Sequence, residues 1–179
     1  MAKDKERALD AFLVASARTG DRHAYGLLAR RWHNRLLAHA WRLLGDAEAA
    51  RDAVQAAWGD MLRSLPRLRD EAAFPAWAYR IVSRRCARQI RSLQRDRLLA
   101  EQAAVPGDEG SVPPGLEVDA LHSAIAALPP DQRAAIALFY LEDMSVAQVA
   151  VALDVPAGTV KTRLMHARRK LRAALEGDE

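Results

Sequence analysis

The sequence predicts an all-α protein, two small helical domains joined by a flexible acidic Pro/Gly linker, and three observations carry that prediction. Ala occurs 37 times while Gly occurs nine times and Pro eight, a composition that favours helix. Apolar residues recur at spacings of three and four, the helical period. Residues 103–117, AAVPGDEGSVPPGLE, interrupt that period with three Pro and three Gly, and this is the one segment that reads as a linker. The expected division is therefore 1–97, a linker over 98–117, and 118–179. A length of 179 residues excludes large catalytic barrels, and 50% apolar with 28% charged residues describes a globular chain.

In the first domain, Asp21 is placed to cap a helix that runs toward Leu44 and stops at Gly45. Asp46 caps the next. Its apolar positions Ala50, Ala53, Val54, Ala57, Trp58, Met61, Leu62 and Leu65 form one stripe expected to be buried. Pro66 ends that helix, and a basic loop through Arg67 and Arg69 leads to a third helix starting near Pro75. On it, Arg80, Arg84, Arg88, Arg91 and Arg95 share an arc of about 80°, at roughly 100° per residue. Phe74, Ala78, Ile81, Val82, Ile90 and Leu93 fall mainly on other faces and are expected in the core. Stacked arginines repel by a few tenths of a kcal/mol per i,i+4 pair. The column therefore suggests an anionic partner such as a phosphate backbone, with a solvated face as the plain alternative. Trp32, Trp41, Trp58 and Trp77 are expected mainly in the core. Spacing leaves open a second role for Phe74, Trp77 and Tyr79, as a platform on which bases stack.

In the second domain, a short helix over 118–128 stops at Pro129-Pro130, and Asp131 caps a helix through about Leu141. Ser145 and Gln148 make a capping box that opens the next helix. A turn around Asp154 and Pro156 leads to a last helix from Ala157 to about Leu175, with Val160, Leu164, Ala167, Leu171 and Leu175 as its buried face. A short helix, a tight turn and a longer basic helix make a helix-turn-helix domain, in which the second helix enters the major groove. The outward side chains are Thr159, Lys161, Thr162, Arg163, Met165, His166, Arg168, Arg169 and Arg172. They supply hydroxyls and cations but no acid, which suits a polyanion.

The formal net charge of +4 hides this arrangement. Residues 80–97 hold seven Arg and one Asp, and residues 159–172 hold six Lys+Arg and no acid. Between them, residues 98–122 carry five acids and no Lys or Arg. Such an interval does not suit DNA; it either keeps the domains apart or mimics DNA. Cys86 is the single cysteine, so neither an internal disulfide nor a Cys-based zinc site is expected, and the five histidines suit surface or packing roles. No nucleophile–base pair, Gly-rich phosphate loop or metal cluster is apparent, so neither an enzyme nor a cofactor is expected. The lack of an eighteen-residue apolar run or a signal-peptide core points to a cytoplasmic protein without membrane insertion.

The run LPPDQRAAIALFYLEDMSVAQVAVALDVPAGTVKTRLMHARRKLRAAL (128–175) resembles the fourth, promoter-reading region of bacterial ECF (extracytoplasmic-function) sigma factors. LLGDAEAARDAVQAAW (43–58) followed by FPAWAYRI (74–81) resembles that family's second region. The resemblance covers about 21–97 and 118–175. It implies a sigma factor that binds core RNA polymerase, directs it to promoter DNA and helps open the duplex. Asp52 and Gln55, both off the apolar stripe, would stand at the family's polymerase-contact positions. Arg67, Arg69 and Phe74, with Arg80, Arg84, Arg88 and Arg91, would handle the opened minus-ten strand. The last helix would read the minus-thirty-five element as duplex, through Thr159, Lys161, Thr162, Arg163, Met165, His166, Arg168 and Arg169. The resemblance also implies an anti-sigma factor as regulator.

The sequence departs from the family pattern at four positions. Ala56 replaces a common acid after the Val-Gln pair, and Arg84 and Arg88 stand where Asn and Asp are frequent. His166 replaces an arginine, a bidentate guanine reader. Two other functions compete with this one, a stand-alone helix-turn-helix regulator and a sigma mimic that acts through protein contacts. A repressor has no use for a polymerase-docking helix, and a mimic has none for a basic recognition helix.

Overall fold

In a computed structural model, which describes residues 2–101 and 120–176, local sequence signals set most of the helix boundaries. The Asp21 carboxylate accepts from the amides of His23 and Ala24, and starts α2 (Arg22–Leu44). Gly45, at φ 72°, closes that helix by donating to the Trp41 carbonyl at 2.8 Å, a left-handed cap that favours glycine. Asp46 caps α3 (Ala47–Ser64) through the Ala49 amide. Two short 3-10 turns, Leu65–Arg67 and Glu71–Ala73, then lead to α4 (Phe74–Glu101).

Before all of these lies α1 (Ala2–Arg18), a helix absent from the sequence-based expectation. It packs on α2 through buried Leu13 and Val14 and is held by ion pairs from Asp10 to Arg31 and from Arg18 to Glu71.

The second half consists of α5 (Ala120–Ala126), α6 (Pro130–Ile136), α7 (Val146–Leu153) and α8 (Ala157–Glu176). Pro130 takes the first helical position of α6, so Pro129 stands at the cap. Asp131 falls inside the first turn and is not the cap expected. A π-helical turn, Ala137–Leu141, carries α6 into the next loop.

Burial departs from the helical pattern in ways that packing explains. Leu62 is 55% exposed, because it lies about 120° around α3 from Ala50, at the edge of the stripe. Leu93 and Leu175 are exposed on turns that project past their packing partners: residues 91–95 and 172–176 are all exposed. Trp32 is buried, Trp58 and Trp77 are half-buried, and Trp41 is exposed with the Arg133 guanidinium over its ring. Phe74 and Tyr79 are fully packed beside Trp32, with ring centroids 5.4 and 6.0 Å away, so neither forms an open stacking platform.

The two halves are in contact: α7 lies against α4, and α6 against α2. One hydrophobic cluster runs from Leu28, Val54 and Val82 through to Leu138, Val149 and Val160. Polar links reinforce the junction. Arg133 donates from α6 to the Arg42 carbonyl at 2.8 Å, satisfying an acceptor near the end of α2. Deeper, Ser83 on α4 donates to the Ala152 carbonyl of α7 at 2.8 Å, and its oxygen lies 2.8 Å from His39 Nε2 on α2. With the serine proton engaged, His39 must donate through Nε2–H. Its Nδ1 then has no partner.

Burial, followed by the neighbouring Arg42 charge, pushes the His39 imidazole down to about 3. Cys86 is also buried, and burial raises its thiol to about 12, which keeps it a neutral packing group.

Neutral His39 belongs to the native state, whereas an unfolded chain takes up the proton below about pH 6.5. Its contribution to stability is complete above that pH and is lost as pH falls from 6.5 toward 3. Urea unfolding at stepped pH is expected to show this as a slope of up to about 1.4 kcal/mol per pH unit between pH 6.5 and 5. His39→Gln, which keeps an amide donor of similar reach, flattens that slope; identical slopes in both proteins would count against the assignment.

Candidate nucleic-acid and polymerase interfaces

The C-terminal pair of helices is built by its caps. Ser145 Oγ accepts from the Gln148 amide, and Gln148 Oε1 accepts from the Ser145 amide at 2.9 Å, so both halves of the capping box are made. Asp154 ends α7 at φ 56° and ψ 45°, a left-handed conformation that Asp tolerates better than most residues. The turn buries Val160, Leu164 and Ala167 of α8 and leaves the opposite side to solvent. Leu171 is half-buried against the core.

On the outer side, Lys161, Thr162, Met165, Arg168 and Arg169 are exposed, and Thr159 and His166 are partly so. Arg168 donates to the Tyr140 hydroxyl at 2.9 Å and lies over the Phe139 and Tyr140 rings, which fixes an otherwise flexible cation. Arg169 donates to His166 Nδ1 at 3.2 Å. Arg163 behaves differently. It turns back to Asp131 at 2.7 Å with its side chain only 21% exposed.

The column on α4 divides in two. Arg80 and Arg84 both donate to the Asp154 carboxylate, at 3.0 and 2.9 Å, so this half is not the unpaired column that the sequence suggested. Hydrogen bonds from Arg84 first, and then from Arg80, hold the Asp154 carboxyl below the usual carboxylate range. Arg88 and Arg91, one and two turns on, are exposed and form no ion pair with the described residues. Arg85 points elsewhere and pairs with Asp60 of α3.

Between α3 and α4, Arg67 and Arg69 are exposed while Leu65 and Leu68 anchor the loop from beneath. Phe74 is 1% exposed and its ring packs against Trp32 and Trp77, in place of the base contact expected of it. On α3, Asp52 and Gln55 are exposed, next to buried Ala53 and Val54. No group of three or more His, Cys, Asp or Glu among the described residues could hold a metal ion.

Family models match both halves. Sigma-70 region 2 spans residues 28–96, and Sigma-70 region 4 spans residues 119–171. The RNA polymerase sigma-H factor of Pseudomonas aeruginosa is 30% identical over 181 residues, covering 93% of this chain and 94% of the relative. The ECF RNA polymerase sigma factor SigM of Mycobacterium tuberculosis is 32% identical over 162 residues, covering 90% and 82%.

The chain belongs to the ECF sigma factors.

Among solved structures, CnrH in complex with the cytosolic domain of CnrY shares 26% identity and a TM-score of 0.64, covering 96% of this chain and 99% of CnrH. As a sigma factor, the protein directs core RNA polymerase to promoters and takes part in opening the DNA.

Three contacts around the candidate surfaces of this sigma factor escape sequence reasoning. Asp154, a turn residue, pairs with both Arg80 and Arg84 from 74 and 70 positions away. Arg133, inside the LPPDQR string, joins region 4 to the end of α2. Tyr140 holds Arg168. All three lie within the run 128–175 that resembles the family's fourth region, but nothing in that run marks their partners.

Proposed function

We propose that residues 1–97 and 118–179 act as two working units joined by 98–117, and that each contact of the sigma factor maps to one surface. The outer face of α8 takes the minus-thirty-five duplex: Lys161, Thr162, Met165 and Arg169 reach it directly, Arg168 is pre-oriented by Tyr140, and Thr159 and His166 lie at its margin. Arg163 enters that contact only after leaving Asp131. Arg67 and Arg69, with Arg80, Arg84, Arg88 and Arg91, track the opened minus-ten strand. Asp52 and Gln55 meet the polymerase.

The observation that carries this reading is the outer face of α8, whose exposed cations Lys161, Arg168 and Arg169 have no ion-pair partner among the described residues. A helix packed on one side and free of acids over residues 157–172 on the other, with Glu176 only at its far end beside Arg172, matches a phosphate-lined groove.

CnrH was solved bound to the cytosolic domain of CnrY. The regulator we expect here is likewise a protein partner, in this case an anti-sigma factor. Among the described residues no helix is long and apolar enough to cross a membrane, and we place the protein in the cytoplasm with the polymerase it serves. Its role is that of an initiation factor with no chemistry of its own. Run-off transcription with core polymerase and genomic DNA tests the whole reading. Initiation at discrete sites supports it, and DNA binding without initiation favours a stand-alone regulator.

Arg168→Ala and Arg169→Ala are each expected to weaken promoter binding and to reduce the slope of log affinity against log salt by about 0.9, one phosphate contact apiece. Unchanged slopes remove the phosphate assignment. Asp52→Ala is expected to weaken core-polymerase binding by about fivefold or more without shifting the thermal midpoint, because the side chain is exposed. Co-purification of both proteins with polymerase at equal yield would contradict it.

A further inference from the structure

The face of α4 assigned to the opened strand already has an occupant. Asp154 sits between Arg80 and Arg84, with Oδ1 2.9 Å from an Arg80 terminal nitrogen and Oδ2 2.9 Å from Arg84 Nε. This carboxylate belongs to the helix-turn-helix, in the turn that leads to the recognition helix. Two residues earlier on α7, the Ala152 carbonyl receives the buried Ser83 hydroxyl of α4, so the ion pairs form the rim of a packed junction. A carboxylate and a phosphodiester present arginine with the same chemistry: one negative charge spread over two acceptor oxygens.

We propose that Asp154 is an internal substitute for a backbone phosphate, that it clasps the helix-turn-helix onto α4, and that an opened DNA strand and this clasp compete for Arg80 and Arg84. The inference rests on the assignment of α4 to the opened strand. A cleft of about 330 Å³ beside the clasp is lined by Arg84, Arg88, Arg91 and Asp154, and it gives the strand a point of entry. Arg88 and Arg91 have no ion pair among the described residues. A strand that first engages these two lies next to Arg84 and displaces Asp154 from the column one arginine at a time. The arginine at 84, a departure from the family pattern, is thus half of the clasp.

Two substitutions at Asp154 in the full chain test the clasp. Asp154→Asn removes the charge while keeping a residue that tolerates the left-handed turn. Apparent affinity scales with the open fraction, so its binding to a fluorescent single-stranded oligonucleotide is expected to tighten about three- to tenfold. A random duplex, bound through α8, should show no such gain. Asp154→Arg places like charges together and is expected to raise the radius of gyration in small-angle X-ray scattering. Adding Arg84→Asp restores the wild-type radius, and urea unfolding verifies that each variant is folded. A wild-type radius in Asp154→Arg overturns the clasp, as does an equal gain of Asp154→Asn on both DNA forms. A larger radius without tighter single-strand binding leaves the clasp standing and overturns the assignment of α4 to DNA.

Discussion

A helix has one circumference to divide among its neighbours, and α4 divides its own three ways. Phe74, Ala78, Tyr79 and Val82 face the core shared with α2 and α3. Ser83 faces α7. What remains is the arginine column, whose position follows once the other two faces are assigned. The rest of the molecule depends on this partition, because the same helix anchors region 2, receives region 4 and carries a charged edge past both. A change on any one face is therefore felt on the other two.

Local chemistry was legible in the sequence. The caps at Asp21, Asp46 and Ser145, the stop at Gly45 and the acid-free stretch 157–172 of α8 all depend on residues within one or two helical turns. Features set by where a neighbouring element ends were not legible. Leu93 and Leu175 follow the helical period correctly, yet stand on turns with nothing opposite them. Phe74 illustrates a second limit. Its place beside the basic loop suited a base platform, but Trp32, some forty residues earlier, claims the same ring.

Charge pairing was the least legible property of the candidate site. The periodicity of α4 placed its arginines in one column, but their partner lies in a turn of the other domain. Arg163 was likewise expected among the outward residues, and Asp131, 32 positions upstream, draws it back. A single sequence displays like charges in a row; it does not display the isolated acid that folding brings to them. Of the two roles the sequence left open for the acidic connector, holding the halves apart does not match the packing. Residues 98–101 of the expected linker continue α4 and 102–117 lie outside the described structure, while the contacts between α4 and α7 and between α2 and α6 bring the halves together.

The unexpected helix α1 bears on how fast the protein meets DNA. Its Glu6 and Asp10 lie against Arg35 and Arg31 of α2, while Arg18 is matched by Glu71. Positive potential on that flank is cancelled at short range, whereas the exposed part of α4 and the outer side of α8 keep theirs. An approaching polyanion is then pulled toward two patches and not toward the whole surface, which raises the share of encounters that arrive in a useful orientation. Such steering acts over roughly one Debye length, about 8 Å at physiological ionic strength. The N-terminal helix, which forms no part of either proposed DNA surface, thus shapes the association rate and its sensitivity to salt.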